Sequence, residues 1–112
     1  MKVKGDDAER DAARFLAGRG LRVVARNWRC RMGELDLICD DRGTLVFVEV
    51  RSRADPRFGG AAASITSHKQ AKLVAAAQQY LGTLSRIPPC RFDAVLFDGT
   101  SGPTWLKNII EI

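Results

Sequence analysis

Two strand-like runs joined by a polar turn constrain the fold of this chain more than any other feature. Residues 34–39 and 44–53 are rich in apolar and β-branched side chains, and the sequence DDRG at residues 40–43 separates them. β-Branched and aromatic residues favour extended backbone, whereas neighbouring Asp and Gly residues favour a tight turn. The sequence therefore predicts an antiparallel β-hairpin in the middle of the chain.

A helix and a further strand precede this hairpin. Asp6 or Asp7 can cap a helix that runs to about Leu16, where two glycines follow and end it. Residues 21–29 alternate side chains in the way that is typical of a half-buried strand. A helix followed by three strands is thus predicted for the first half of the chain.

The second half of the chain continues with helix and strand. Residues 54–63 are rich in glycine and alanine and are predicted to form a mobile loop. Thr66 or the next residue can then cap a long helix that runs to about residue 84. With strands predicted over residues 91–97 and 105–110, the order α-β-β-β-α-β-β predicts an α/β fold whose mixed β-sheet is flanked by helices.

The length and the apolar pattern predict one domain that does not enter a membrane. A chain of 112 residues is long enough for one domain and too short for two, so we expect a single domain over residues 1–112. Its apolar runs, such as residues 45–48, are far below the roughly 18 residues that cross a bilayer. The first ten residues lack the apolar core of a signal peptide, so the expected location is cytoplasmic.

Charge is distributed unevenly along the chain. The net charge is +5, residues 12–33 contain six arginines and no acid, and residues 57–92 contain no acid either. Basic side chains bind phosphates, and clustered acids bind metal ions, so this pattern suits a metal-dependent enzyme that acts on a polyanion. The alternative is that the arginines only favour solubility.

Three acids interrupt the apolar strands of the predicted hairpin. If Cys39 pairs with Thr44, Asp36 and Glu49 are diagonal neighbours on one face and Glu34 lies opposite Glu49. Clustered carboxylates repel one another and resist burial, so a divalent cation such as Mg²⁺ or Mn²⁺ would compensate them. A different loop length would break this alignment, and exposed acids paired with arginines are the alternative.

Two charged residues on the predicted helices point towards the same region. Glu9 follows the helical period of Ala12 and Leu16, so it leans towards the sheet; the alternative is an exposed glutamate in the first turn. Lys69 lies in the first turn of the second helix, where a lysine beside free backbone N–H groups suits a phosphate. The alternative for Lys69 is a side chain that covers the edge of the core.

Several motifs in order resemble a known family. GELDLI, LVFVEVRSR, FGGAAASIT and RFDAVLFDG resemble the YraN-like family of uncharacterised bacterial proteins over nearly the whole chain. That family is similar in fold to the restriction-endonuclease-like superfamily, PD-(D/E)xK, and to archaeal Holliday junction resolvases. The resemblance implies a three-layer core, with Asp36 and Glu49 as the two motif acids and Glu9 as an additional metal ligand. Glu34 and Lys69 match positions of the YraN-like motif.

The resemblance implies a metal-dependent endonuclease that hydrolyses phosphodiester bonds in DNA, in branched or single-stranded forms. Asp36, Glu49 and Glu9 would hold Mg²⁺ or Mn²⁺. Arg51 replaces the usual motif lysine; arginine cannot act as a base because its pKa exceeds about 12, but it can hold the scissile phosphate. The residues expected to bind nucleic acid are basic or aromatic: Lys69, Arg53, Arg22, Arg26 and Trp28.

Two other functions fit the same residues. Arg51 favours a nucleic-acid-binding module that kept the fold and has weak or no catalysis. The third hypothesis is a protein-interaction or assembly factor without a nucleic-acid role, in which the glycine-rich loop and the fifth strand mediate contacts within a homodimer.

Overall fold

The computed structural model describes residues 3–53, 61–99 and 102–110, with side chains from Asp7 onward. The elements follow one another as α1 (Val3–Gly18), β1 (Arg22–Cys30), β2 (Gly33–Asp41), β3 (Thr44–Arg53), a 3-10 helix (Ala62–Ser64), α2 (Ser67–Leu81), β4 (Cys90–Asp98) and β5 (Thr104–Leu106).

The five strands form one mixed sheet in the order β1-β2-β3-β4-β5. Neighbouring strands are antiparallel except β3 and β4, which are parallel. A parallel pair requires a long crossover connection, and the segment that contains α2 provides it. The predicted α/β class and the order α-β-β-β-α-β-β are therefore confirmed.

One helix covers each face of the sheet. On the first face, Ala12 and Leu16 of α1 belong to a buried cluster with strand residues Leu37, Cys39, Val46 and Val48. On the other face, Leu73, Ala76 and Ala77 of α2 belong to a second cluster with strand residues Leu35, Ile38, Phe47 and Phe92. This is the three-layer arrangement, a mixed sheet flanked by helices, that the sequence predicts.

The central hairpin is closed by a two-residue turn at Arg42 and Gly43. Both residues have positive φ, +53° and +95°, which matches the right-handed twist of the flanking strands. The last pair is Asp41 with Thr44, so Cys39 pairs with Val46 and not with Thr44. The sequence left the register open, and the observed one differs by two residues from the pairing of Cys39 with Thr44, because β2 continues through Asp41 before the chain turns.

The first helix begins earlier than the sequence predicts. α1 begins at Val3, so both candidate capping residues, Asp6 and Asp7, lie inside the helix. Asp7 instead forms an exposed ion pair with Arg10, at 3.7 Å. The start predicted from capping residues alone was too late because helical backbone continues beyond them.

The second half of the chain follows the predicted order with shorter elements. The Thr66 hydroxyl accepts a hydrogen bond from the Lys69 N–H at 3.3 Å, which confirms Thr66 as the cap of α2. α2 ends at Leu81 and β5 spans only Thr104–Leu106. Most of the predicted mobile loop, residues 54–60, lies outside the described residues. Among the described helices, none combines the length and the apolar character that a bilayer span requires.

Candidate metal and nucleic-acid site

The β2–β3 pair opens at Asp36. The regular ladder runs from the turn to Leu37, which pairs with Val48. Beyond that point the Val50 N–H donates to the Asp36 carboxylate at 2.9 Å, so a side chain takes the place of a backbone acceptor. Continued at the same register, the next pair would be Asp36 and Glu49. The strands therefore bring these two acids together directly, rather than diagonally as predicted.

Asp36 and Glu49 form a buried acid pair. Only 9% of Asp36 and 5% of Glu49 is exposed. Burial, the charge of Glu49 and a hydrogen bond between the two carboxyl groups raise the pKa of Asp36 from its ordinary value of 3.8 to about 8, although the Val50 N–H acts in the opposite direction. These surroundings favour the protonated form of Asp36 at neutral pH, with its proton in the hydrogen bond to Glu49.

Arg51 places a positive charge beside this acid pair. Its guanidinium forms an ion pair with the Glu49 carboxylate, two residues earlier on the same strand. The Arg51 Nε is buried and has no hydrogen-bond partner within the described part of the chain. A buried N–H group without an acceptor can donate a hydrogen bond to an anion that enters the site.

Glu34 lies at the margin of the acid pair. The Arg29 Nε donates to its carboxylate at 2.6 Å. The charge of Glu34 contributes to the raised pKa of Asp36, which places it within electrostatic reach of the site. Glu34 thus makes the potential at Asp36 slightly more negative, although Arg29 is its direct ion-pair partner.

Glu9 is buried, with 7% exposed, on the helix that packs against β3. It is therefore not the exposed first-turn glutamate of the alternative interpretation. Among the residues that the structure describes, no three His, Cys, Asp or Glu side chains are grouped so that they could hold a metal ion. The structure thus unites Asp36 and Glu49 but does not gather Glu9 with them into a three-acid group, and its role as a metal ligand stays a prediction.

The predicted nucleic-acid-binding residues are spread over one edge and one end of the sheet. Arg53 is exposed at the end of β3, and Lys69 is half-buried in the first turn of α2. Arg26 is exposed on edge strand β1, opposite Leu37 and thus one position from Asp36. Arg22 is paired with Asp40 at 3.9 Å near the opposite end of β2, which places it farther from the acid pair than the others.

Trp28 packs inward. Its ring meets Tyr80 of α2 edge to face, with centroids 5.3 Å apart. β1 has a register irregularity between Val23 and Ala25, and Asn27 has a positive φ of 50°. These irregularities change which face the side chains take, so Trp28 joins the α2-side core cluster together with Ala25. The alternation assumed from sequence put those two residues on opposite faces, which was wrong.

The family of the chain follows from comparison with known proteins. Residues 8–97 match the model of Uncharacterised protein family UPF0102. The chain belongs to this family. A UPF0102 protein of Nitrosospira multiformis is 52% identical over 100% of this chain and 96% of its own length. UPF0102 proteins of Nitrosomonas eutropha and Ralstonia nicotianae are 50% and 54% identical over 98% and 96% of this chain, and over 95% and 86% of their own lengths.

Membership of UPF0102 confirms the resemblance to the YraN-like family that the sequence motifs indicated. The family is uncharacterised, so membership assigns no reaction to this chain. A reaction has to be inferred from the geometry of the site. An acid pair that shares one proton fits a small, hard cation in place of that proton. Mg²⁺ needs only one or two protein carboxylates, because water and phosphate supply its other ligands.

The sequence interpretation of this UPF0102 chain missed another buried acid, Asp93. Its side chain has 0% exposure and accepts hydrogen bonds from Arg91, Trp105 and Asn108. The signal was available, because Asp93 interrupts the apolar strand RFDAVLF as Asp36 interrupts GELDLI. Its partners, however, come from distant parts of the sequence.

Proposed function

We propose that this UPF0102 protein is a metal-dependent endonuclease that hydrolyses phosphodiester bonds in DNA. The observation that supports it most is the buried Asp36–Glu49 pair, which shares a proton at an opening of the sheet, beside the cation of Arg51. Burying two acids against each other costs stability, and such an arrangement is typical of functional sites.

Each residue of this site has a distinct role in the proposal. Asp36 and Glu49 would hold Mg²⁺ or Mn²⁺, and Glu9 would assist them. When bound, the ion would polarise the phosphodiester and lower the pKa of a water molecule. To hold the ion, Asp36 would give up its proton to solvent, and the Arg51 guanidinium would turn from Glu49 to the scissile phosphate. Arg51 stabilises negative charge there and takes no proton, because its guanidinium stays protonated.

Exposed cations near the site would hold the DNA backbone. Arg26 and Arg53 are exposed, and Lys69 is half-buried at the start of α2. Basic side chains that neutralise phosphates give binding that weakens with salt and depends little on sequence. The proposed substrate is therefore recognised through its backbone, and its branched or single-stranded form is a further proposal.

Cleavage tests this function directly. Duplex, flapped, branched and single-stranded DNA are incubated with the protein and Mg²⁺ or Mn²⁺, and products are resolved by length. Asp36→Asn and Glu49→Gln should each lower the cleavage rate by about 100-fold, since they remove a charged metal ligand. Asp40→Asn is the matched control on the same strand and should cut at the wild-type rate. The proposal is wrong if the wild type cuts none of these DNAs, or if Asp36→Asn cuts as fast.

A nucleic-acid-binding module without turnover is the second candidate. The observation that favours it is the ion pair between Arg51 and Glu49, which together with a protonated Asp36 balances the site without any metal.

Calorimetric titration separates the two candidates. A nuclease should bind Mn²⁺ with an affinity that increases as the pH rises to about 8, because the ion competes with the proton on Asp36. Asp36→Asn should abolish the heat of Mn²⁺ binding. DNA binding combined with no Mn²⁺ binding in the wild type would favour the second candidate.

A further inference from the structure

The turn between β1 and β2 presents an exposed apolar side chain beside an exposed arginine. Cys30 pairs with Gly33, so Arg31 and Met32 form a two-residue tip beyond the end of the strands. Both residues are exposed, and Met32 has 47% of its surface accessible. Single exposed apolar residues are common on protein surfaces, so what Met32 can bind depends on the residues around it. We call Arg31 and Met32 the hairpin tip.

The surroundings of the hairpin tip are basic. Arg29 precedes it, and Lys72 of α2 lies beside it, since a Cβ at Gly33 would be 3.6 Å from the Lys72 carbonyl oxygen. Lys72 is exposed, and the sequence of α2 contains lysines but no acid. The neighbouring Glu34 is already paired with Arg29. An apolar side chain surrounded by cations suits a polyanion that also offers apolar faces, which describes the phosphates and bases of a nucleic acid.

The hairpin tip lies at a defined distance from the acid pair. Met32 precedes Asp36 by four residues, of which Gly33 onward is extended strand. Four extended residues span about 13 Å. Since each base pair of DNA rises about 3.4 Å, this separation corresponds to about four base pairs.

We propose that the hairpin tip contacts the nucleic acid about four nucleotides from the bond at the Asp36–Glu49 pair. Met32 covers the face of an unpaired or unstacked base, and Arg31 binds a neighbouring phosphate. A flexible thioether side chain adapts to a base face, and apolar side chains that enter base steps are common in DNA-bending proteins. The spacing rests on the proposed nuclease function, whereas the contact itself does not.

The chain offers a matched control for this contact. Arg86 and Ile87 repeat the order of an exposed arginine and an exposed apolar residue, and Ile87 is 73% exposed. They precede Cys90, which pairs with Leu45 beside the β2–β3 turn, so they lie at the opposite end of the sheet. General effects of losing an exposed arginine or apolar side chain should therefore be equal at both places.

Binding without metal ions provides the test. The probe is a short duplex DNA with one unpaired 2-aminopurine, whose fluorescence reports stacking, and anisotropy gives the dissociation constant. Met32→Ala and Met32→Gln should weaken binding about fivefold and remove the fluorescence change, whereas Ile87→Ala should do neither. Arg31→Ser should lower the slope of log affinity against log salt by about 1 more than Arg86→Ser does. Circular dichroism establishes that each variant is folded.

The outcomes separate this proposal from the nuclease proposal. If the variants at the hairpin tip and the control variants at Arg86 and Ile87 change DNA binding equally, the proposed contact is wrong, even if the wild type cleaves DNA. The expected binding losses without any cleavage would support the contact and refute the nuclease. If sedimentation instead shows a dimer that Met32→Ala dissociates, with DNA affinity unchanged, the tip is a protein interface and the proposal is wrong.

Discussion

Asp36 and Asp93 are both buried in apolar strands of one sheet, but their surroundings are opposite. Asp93 accepts from the Arg91 Nε at 3.1 and 3.2 Å, from the Trp105 Nε1 at 3.0 Å and from the Asn108 N–H at 2.9 Å. Asp36 accepts from one backbone N–H and faces a second acid.

The difference teaches how to distinguish a structural acid from a functional one. The donors around Asp93 come from its own strand and from the chain at β5, so this acid fastens the C-terminal segment to the sheet. Asp36 instead keeps a raised pKa because its surroundings disfavour its charge. A buried acid whose charge is not compensated is the better candidate for binding a cation.

The largest expected effect is on folding stability at the compensated acid. Asp93→Ala should lower the free energy of unfolding by about 3 kcal/mol, because it leaves the Trp105 and Asn108 N–H groups without their acceptor and leaves Arg91 with Asp41 alone. Urea unfolding followed by fluorescence measures the change, with Asp40→Ala on β2 as the control. A loss below about 1 kcal/mol would show that the Asp93 network contributes little.

The uncompensated acid, Asp36, should make the free energy of unfolding decrease as the pH rises. The pKa of Asp36 is about 8 in the folded chain and near 3.8 when unfolded, so the folded chain holds an additional proton between these values. Stability from this group is complete below about pH 4 and is lost as the pH rises through 8.

Asp36→Asn imitates the protonated acid and should remove this dependence of the free energy of unfolding on pH. In the presence of a chelator, the variant's advantage over the wild type in free energy of unfolding should be close to zero near pH 4 and should grow as the pH rises towards 8. Urea unfolding at several pH values provides the measurement. If the difference between the two proteins stays constant with pH, the raised pKa is wrong.

The smallest effect should follow from removing one of several donors. Trp105→Phe deletes the indole N–H to Asp93 and keeps an aromatic ring against Phe15, so it should cost about 1 kcal/mol. Urea unfolding again serves as the measurement. A loss as large as that of Asp93→Ala would mean that the indole N–H alone satisfies the acid.

The sequence was sufficient for the elements and for the meeting of Asp36 and Glu49. Alternation with period two defines strands, and residues 40–43 define where the chain turns. The register could not be predicted, because the closing pair depends on which two residues adopt positive φ. These are Arg42 and Gly43, although the aspartates just before them also favour turns.

Long-range contacts explain what the sequence did not reveal. The inward position of Trp28 depends on irregular backbone in β1, which has no clear signature in side-chain pattern. The compensation of Asp93 depends on Trp105 and Asn108, more than ten residues away. The metal and nucleic-acid roles of the site residues stay predictions that the experiments above address.

The irregular backbone of β1 also bears on how the molecules behave at high concentration. An edge strand with free N–H and C=O groups invites pairing with another chain and the growth of aggregates. The shifted register at Val23 and Ala25, together with the projecting charges of Arg22 and Arg26, makes this edge a poor template for such pairing. The same strand that we expect to attract phosphates should therefore keep the molecules apart and soluble.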